Sequence, residues 1–399
     1  MKALSSLTLT TLVSAVAIGH LPAIGFGFEY QSARASARGN VSTAGFSDAT
    51  MLHYNPAALA LGEKPTIAVN SFFNQGDISV SQGGTEYETD GDWNAVGSLY
   101  FAHPLEIAGR KVAFGAGVRV PYGQKVSWQG QVPFSAFGES AEMIHIEYLV
   151  GGALELGRGV SIGGNVFFAD SELTTDSSGL FLPSDEQRFT GNDNAWGFQL
   201  AFHHQVNPSF SWGINYRSGL DLDYSGEIDY QSGNPLVPNN FLSANSPLAF
   251  PDHLTIGFEW QATEQLSLGM QAQWSGWSSV DEFKVENELQ TVTQPVDWQD
   301  NWNLSAGGSY AATSWLDLHF GYMFTESLID EPYHTPLNGD FDQHFYSVGA
   351  SVMVSDWQFD VAVVRLAESE RSSDASLYGF TGDHQSDGWF VNLGALRSF

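Results

Sequence analysis

Residues 265–274 read Gln-Leu-Ser-Leu-Gly-Met-Gln-Ala-Gln-Trp and alternate without interruption. Leu266, Leu268, Met270, Ala272 and Trp274 fall on one side; Gln265, Ser267, Gly269, Gln271 and Gln273 fall on the other. A period of two marks a β-strand whose two faces meet different surroundings. Leu316, Leu318, Phe320, Tyr322 and Phe324 repeat the pattern against Asp317, His319 and Gly321. Tyr346, Val348, Ala350, Val352 and Val354 do so against Ser347, Gly349 and Ser351. In a soluble sandwich the apolar face would be core. In a barrel crossing an outer membrane it would face lipid, and the face of small and polar residues would line the lumen.

Segments of this kind recur from residue 65 to the C-terminus, at about 65–75, 93–103, 111–121, 142–156, 159–173, 194–206, 209–224, 252–262, 265–280, 301–312, 315–327, 342–355, 357–370 and 388–399. That makes about fourteen strands, and an even number lets a single chain close with both ends on one side. The connections alternate in length. Gly157-Arg158, Asn207-Pro208, Thr263-Glu264 and the turn at Asp356 are short, and the intervening connections are long. Short periplasmic turns opposite long outer loops are expected of an outer-membrane barrel and have no counterpart in a sandwich.

The composition agrees. Aromatic residues make up 14% of the chain, Gly accounts for 42 of 399 residues, and Asp, Glu, Lys and Arg together reach only 15%. Low charge with many aromatics suits a wall that faces lipid and carries Trp and Tyr girdles. The net charge of −30 argues against a nucleic-acid partner. Lys2, the apolar run from Leu7 to Ile18, and small residues around Ala23 and Gly25 read as a signal peptide over 1–25, cleaved after Gly25 or after Ala23. No later apolar run is long enough for a transmembrane helix. The chain has no Cys, so an exported form relies on its fold rather than on disulfides. The expected organisation is an all-β, 14-stranded antiparallel transmembrane β-barrel over 65–399, preceded by residues 26–64. That segment does not alternate and is rich in Ser, Ala and Gly. It is either disordered or an N-terminal plug inside the lumen, which a barrel of this size has room to hold.

More than half of the 45 Asp and Glu fall in the long loops, with clusters at Glu86, Glu88, Asp90 and Asp92 and at Asp281, Glu282, Glu286 and Glu288. These are either a solvated surface or ligands for divalent cations among lipopolysaccharide phosphates. No EF-hand spacing, H-E-x-x-H motif or P-loop is present, so no cofactor or resident metal is expected. One G-x-S-x-G match, Gly159-Val160-Ser161-Ile162-Gly163, opens a strand directly after a short turn. A nucleophile elbow needs a strand–turn–helix setting, so the match does not indicate an enzyme.

Several short stretches resemble, in order, the long-chain fatty acid transporter family (FadL/TodX type), which includes channels for aromatic hydrocarbon uptake. They are Gly27-Phe28-Glu29, the run 32–40, Gly45 and Asn55-Pro56-Ala57; then Pro121-Tyr122-Gly123, Tyr216-Arg217-Ser218 and Asp221-Leu222-Asp223-Tyr224-Ser225-Gly226. Phe250-Pro251, Trp274, Trp277, Trp302-Asn303-Leu304-Ser305-Ala306-Gly307 and Gly321-Tyr322 follow. The C-terminal Phe399 fits the family, while Arg397 shares its parity and would have to snorkel at the periplasmic interface. The resemblance implies a monomer in the outer membrane of a Gram-negative bacterium that captures hydrophobic molecules at its outer loops. They would bind in the lumen and leave sideways once the plug, the family's hatch, rearranges. Fatty acids and aromatic hydrocarbons both fit that scheme; a general diffusion porin, an enzyme and a soluble β-rich binding protein are the rivals.

Candidate residues follow. Loop patches at Leu180, Phe181 and Leu182, and at Phe241, Leu242, Leu248, Ala249 and Phe250, are capture surfaces or loop–loop packing. Arg119 and Arg217 take the lumen parity of their strands and serve either a fatty-acid carboxylate or an internal ion pair with a carboxylate such as Glu147. For gating, Ala113, Gly115 and Gly117 leave space on the inner wall of strand three, and Pro121 ends its ladder. The backbone groups freed by a kink there need partners. Asn55, stiffened by Pro56 and followed by Ala57, is the expected donor; the alternative is a plain turn leading to strand one.

Overall fold

The computed structural model describes residue 27 and residues 29–399, except 91–92, 130–131, 136–137, 179–183, 235–238, 290, 336–339, 375 and 378–380. The expected signal peptide, Phe28, Asp92 and the patch at Leu180, Phe181 and Leu182 lie outside the described residues. Fourteen antiparallel strands close into one barrel. They are β1 Thr66–Gln82, β2 Asn94–Ile107, β3 Arg110–Ser127, β4 Ser140–Gly157, β5 Val160–Ser178 and β6 Glu186–Asn207. β7 runs Phe210–Arg217 and resumes at Leu220–Gln231; β8 runs Asn240–Phe250 and resumes at His253–Gln261. β9 Leu266–Ser275, β10 Asn301–Thr313, β11 Leu316–Thr325, β12 Gln343–Val354, β13 Trp357–Ser373 and β14 Gly382–Ser398 complete the ring. β1 closes it by pairing with β14 from Thr66↔Ser398 to Ser81↔Asp383.

The alternation read from sequence is the alternation of the wall. Met270, Phe320, Val348 and Phe359 point outward and are exposed, while Gln271, Ser347 and Asp360 point inward and are buried. Exposed Trp196, Trp302, Tyr346 and Trp389 lie toward the long loops, and Trp260, Trp315 and Trp357 lie toward the short turns. These are the two girdles expected where a barrel meets the membrane interfaces. Arg397 sits at the lower girdle, its guanidinium 5.3 Å from the Trp357 ring and 4.8 Å from that of Phe399. Aromatic faces therefore receive the one cation expected on the lipid side of the last strand.

The strands run further outward than expected, and one correction follows. Phe241, Leu242, Leu248, Ala249 and Phe250 are not a loop patch but form the outer half of β8, paired with β7 from Asn240↔Tyr230 to Phe250↔Leu220. The faces invert there. Ala244, Ser246, Leu248 and Phe250 are buried, and Phe241, Ser243, Asn245 and Pro247 are exposed. On β7, Leu220, Leu222 and Tyr224 turn inward while Asp221 and Asp223 turn out. Paired breaks at 218–219 and 251–252 switch the side-chain parity of both strands. Above the membrane the outside of the wall is wet, so apolar residues belong inside.

Residues 29–62 lie within this ring. The segment has two single-turn helices, α1 Ala33–Ser36 and α2 Met51–Tyr54, and a 3-10 helix, Pro56–Leu61. Ala33, Ala35, Met51, Leu52, Ala57, Ala58 and Leu59 are buried. Each fully buried Leu or Met contributes roughly 1.5–3 kcal/mol. Irregular backbone at membrane depth must find its hydrogen bonds within the protein, and the polar lumen face supplies them. Asn70 Oδ1 accepts from Ala33 N at 3.1 Å, and Asn165 Nδ2 donates to Leu52 O at 2.8 Å. Gln271 Oε1 accepts from Thr43 N at 3.2 Å and from Thr43 Oγ1 at 2.6 Å. Ser161, the central residue of the G-x-S-x-G match, donates Oγ to Ala57 O at 2.8 Å.

Glycines on the wall set the approach distance. A Cβ at Gly163 would lie 2.5 Å from Ala57 N, and one at Gly307 would lie 2.1 Å from Arg38 O. Gly39 itself has φ +65°, the left-handed region that ends α1, and its own Cβ would lie 2.6 Å from Tyr322 O. On the opposing strand a Cβ at Gly321 would lie 2.0 Å from Gly39 N. Gly321→Val should therefore leave the barrel folded, as read by heat-modifiable mobility on a gel, yet expel the segment and raise arabinose permeation in liposome swelling. A folded variant as tight to arabinose as the parent would show that this contact does not hold the segment in place.

Candidate functional site

Two strands that break their ladders bring the site together. β3 pairs with β4 up to Arg119↔Glu147 and resumes at Tyr122↔His145, so Val120 and Pro121 are skipped. The register places Arg119 beside Glu147, while β7 and β8 present Arg217 and His253 opposite each other. Glu147 receives both cations. Arg119 Nε donates to its Oε2 at 2.7 Å, and the Arg217 guanidinium pairs with Oε1. Arg119 also reaches His53 Nδ1 of α2 at 2.7 Å and Gln199 Oε1 at 3.1 Å. Arg217 donates to the Tyr122 hydroxyl at 2.5 Å, and that hydroxyl lies 2.8 Å from His253 Nε2. Both guanidinium groups pack over the Phe167 ring, at 5.4 and 5.0 Å. Phe250 covers the cluster, its ring 4.7 Å from Tyr122 and 5.0 Å from His145.

One buried carboxylate thus serves two buried guanidinium groups. The arrangement tolerates desolvation because each guanidinium lies against the shared carboxylate. On the far side stands Glu29, whose Oε1 accepts from Gln273 Nε2 at 2.7 Å and which couples electrostatically to Arg217 and Arg119. Glu29, His53, Tyr122, Gln199, Arg217, His253 and Gln273 share a polar lumen cavity of about 40 Å³, room for little more than water. A far larger concavity, about 950 Å³, lies on the lipid side of the wall over Met270, Phe320, Tyr346 and Val348.

Next to the cluster the wall is open. The β2–β3 ladder stops at Leu99↔Val118, and residues 94–98 pair only with β1 among the described residues. The plug covers the exposed edge of β3. Gly27 forms an antiparallel bridge with Tyr122, and Gln31 Nε2 donates to Val120 O at 2.7 Å. Across the gap, Ser98 Oγ of β2 donates to Gln31 O at 3.0 Å. The next residue in from Glu29, Tyr30, is buried in an apolar nest with Phe72, Val96, Val120, Phe345, Val364 and Phe390. Its ring stacks on Phe72 at 5.4 Å.

Sequence parity brought Arg119, Arg217 and the Glu147 alternative to the same place. Phe250 joins them from a strand rather than a loop; Phe241 points outward from the top of β8, 65% exposed and far from the cluster. Asn55 requires a second correction. It does not serve strand three. Its Nδ2 donates to Thr43 O at 2.8 Å and to Phe202 O of β6 at 3.1 Å, and its Oδ1 caps the 3-10 helix by accepting from Ala57 N at 3.1 Å. Pro56 occupies the first helical position, where its missing N–H costs nothing. Asn55 packs on Gly213, while Gly115 meets Leu52, and Gly117 is flanked by Tyr100 and Leu149. Tyr122, His53, His253 and Glu29 were not singled out as site residues. Parity cannot carry a face assignment across the β3 break to Tyr122 or into the plug, whereas His253 shares the lumen parity of Thr255 and Gly257.

A closed fourteen-stranded wall girdled by aromatics, with a packed irregular segment inside and a ladder gap at the level of its polar cluster, defines an outer-membrane transport barrel. Residues 14–399 match the family described as outer membrane protein transport protein (OMPP1/FadL/TodX), and the chain belongs to that family. It is 21% identical over 400 residues to the long-chain fatty acid transport protein of Salmonella typhi, covering 89% of this chain and 91% of that protein. It is 22% identical over 289 residues to outer membrane protein P1 of Haemophilus influenzae, where the match spans 64% of this chain and only 62% of that protein. A Pseudomonas aeruginosa FadL homologue has the same fold, with a TM-score of 0.83 at 18% identity over 94% of this chain and 100% of that one. The toluene transporter TbuX of Ralstonia pickettii matches at TM-score 0.73 and 16% identity over 94% and 99% of the two chains.

Removing the shared carboxylate should be costly. Glu147→Gln is expected to lower unfolding stability by about 3–5 kcal/mol, because two buried guanidinium groups lose their counter-charge. The triple change Arg119→Met, Arg217→Met and Glu147→Leu should recover most of that loss. Urea titrations of the protein in lipid vesicles measure both, and a stable Glu147→Gln variant would contradict the assignment.

Proposed function

We propose that this chain takes up long-chain fatty acids from the outer face and releases them sideways into the membrane between β2 and β3. The observation that carries the reading is the coincidence of three features at one level of the lumen: the Arg119–Arg217–Glu147 cluster, the apolar nest around Phe72 and Phe390, and the unpaired edge of β3 from Arg119 to Gly123. A carboxylate head would find guanidinium, hydroxyl and imidazole donors, and an acyl chain would find the nest. Charge-assisted bonds of this type are about twice as strong as neutral ones. The plug, including Asn55, Pro56 and Ala57, would move to free the path past Gly115 and Gly117.

Aromatic hydrocarbon uptake is the second reading. The ring contacts of the nest, with Phe345 and Phe390 each about 6 Å from Tyr30, favour it, as does the likeness in fold to a toluene transporter. The head-group cluster discriminates between the two. Arg217→Gln should lower oleate uptake into proteoliposomes roughly tenfold, the loss of about one charge-assisted hydrogen bond, and leave toluene and oleyl alcohol unaffected. Equal transport of oleate by the parent and a well-folded variant would remove the carboxylate site and favour the aromatic reading. Free permeation of sugars through the parent would replace both readings with a diffusion pore.

A further inference from the structure

The concavity of about 950 Å³ on the lipid side of the wall takes its lining from β7 through β14, away from the gap between β2 and β3. The strand register sets its course. Met270, Ala306, Tyr322, Tyr346 and Arg365 stand opposite one another from β9 to β13. One step nearer the short turns, Leu268, Gly308, Phe320, Val348 and Val363 form a parallel row. Strands about 4.8 Å apart make each row roughly 19 Å long. The strands of such barrels tilt by about 35–45°, so a row crossing them at right angles runs obliquely through the membrane. The lower end lies beside Trp260, opposite Leu268 at the lower girdle, and the upper end at Arg365 and Trp389 in the outer one. Ala306 and Gly308 put almost no side chain between Met270 and Leu268 on one flank and Tyr322 and Phe320 on the other. A trough results in a wall otherwise faced with large side chains.

The upper end of the trough carries charge. Arg365 shares the lipid-facing parity of Phe359, Val361 and Val363. An arginine there is disfavoured increasingly toward the mid-membrane, and ionisable side chains that membranes tolerate are commonly functional. Its guanidinium pairs with Asp387, donates from Nη1 to Gly388 O at 3.1 Å and lies 5.0 Å from the Trp389 ring. The two polar contacts fix its position and use two of its five N–H donors, and the side chain remains 30% exposed. The Tyr322 hydroxyl, 2.7 Å from His344 Nδ1, and the exposed Tyr346 border the same end. We propose that this trough binds one lipopolysaccharide molecule of the outer leaflet, with a lipid A phosphate on Arg365 and an acyl chain laid over Ala306 toward Trp260. The remaining N–H groups of a planar guanidinium suit phosphate oxygens. Asp387, partly exposed beside it, would meet the divalent cations that accompany those phosphates. An apolar trough of about 950 Å³ with a few polar groups at one end falls within the range of small-molecule sites. A second copy of the chain is a poor occupant, because a two-fold contact would set trough against trough.

The test uses the full chain, freed of endogenous lipid in mild detergent and titrated in native mass spectrometry with diphosphoryl lipid A or phosphatidylglycerol. Four barrels are compared: the parent, Arg365→Gln, Ala306→Trp and Val166→Trp. Heat-modifiable mobility verifies that each is folded, and Ala306→Leu replaces Ala306→Trp if the larger side chain impairs assembly. Val166 is an exposed lipid-facing residue of β5, outside the trough, so its replacement controls for added bulk alone. The parent should bind one diphosphoryl lipid A at least tenfold more tightly than phosphatidylglycerol. Arg365→Gln should weaken lipid A binding roughly tenfold, the loss of about one charge-assisted hydrogen bond. Ala306→Trp fills the trough without touching the charge and should weaken it to a similar degree, while Val166→Trp should bind as the parent does. Equal binding of lipid A by the parent, Arg365→Gln and Ala306→Trp would overturn the proposal, as would phosphatidylglycerol binding as tightly as lipid A. A parent dimer that Ala306→Trp dissociates would overturn it too, and would make the trough a contact between copies.

Discussion

The structure depends on one constraint: a segment without regular secondary structure sits at membrane depth, where every backbone N–H and C=O needs a partner from the protein. Two properties of the wall meet it. Glycines such as Gly163, Gly307 and Gly321 let plug backbone approach strand backbone more closely than any side chain would permit. Short polar side chains between them, Asn70, Ser161, Asn165 and Gln271, donate and accept where the plug has no internal partner. The lumen face therefore looks hydrophilic in sequence, and these polar side chains bond to the segment inside the barrel.

The same constraint explains why the charged cluster sits where β3 breaks. A ladder interruption at Val120 and Pro121 turns several backbone groups away from their neighbours. Partners must come from side chains or from the plug, and both are present: Gln31 serves Val120 and Gly27 bridges Tyr122. Arg119 and Tyr122, on either side of the break, both point inward because two residues are skipped. Without the break their parities would oppose each other and Tyr122 would face lipid. The defect in the wall thus creates the hydroxyl–guanidinium–carboxylate group and the gap in a single step.

Much of this was legible in the sequence. Parity put Leu266, Leu268, Met270, Ala272 and Trp274 on one face and Arg119 and Arg217 on the lumen face, with Glu147 as one possible partner for the two cations. The reading failed wherever a physical boundary inverts the rule. Above the membrane the wet side is outside, so Leu220, Leu222, Leu248 and Phe250 lie inward with the parity that points to lipid lower down. The strand also carries Pro247, and proline within an alternating run argues against a strand. Asn55 was misplaced for a different reason. An Asn before Pro signals a local cap, as it proves to be, but nothing in a non-periodic segment says which of fourteen strands it will touch. Plug residues such as Glu29 and Tyr30 carry no periodic signal, and their roles emerge only from the wall around them.

A packed lumen sets the terms on which such a barrel can work. An open channel selects by diameter and charge while its walls stay still. Here the segment from Glu29 to Leu61 is packed against the lumen wall, and the polar cavity beside the charged cluster admits little more than water. Passage of any molecule larger than that demands that buried contacts be exchanged, and each exchange costs unless the incoming molecule replaces what it removes. The open β3 edge becomes useful under the same logic. Among the described residues the gap is covered by the Gly27 bridge, the Gln31 hydrogen bonds and the Tyr30 ring, with no β2–β3 ladder across it.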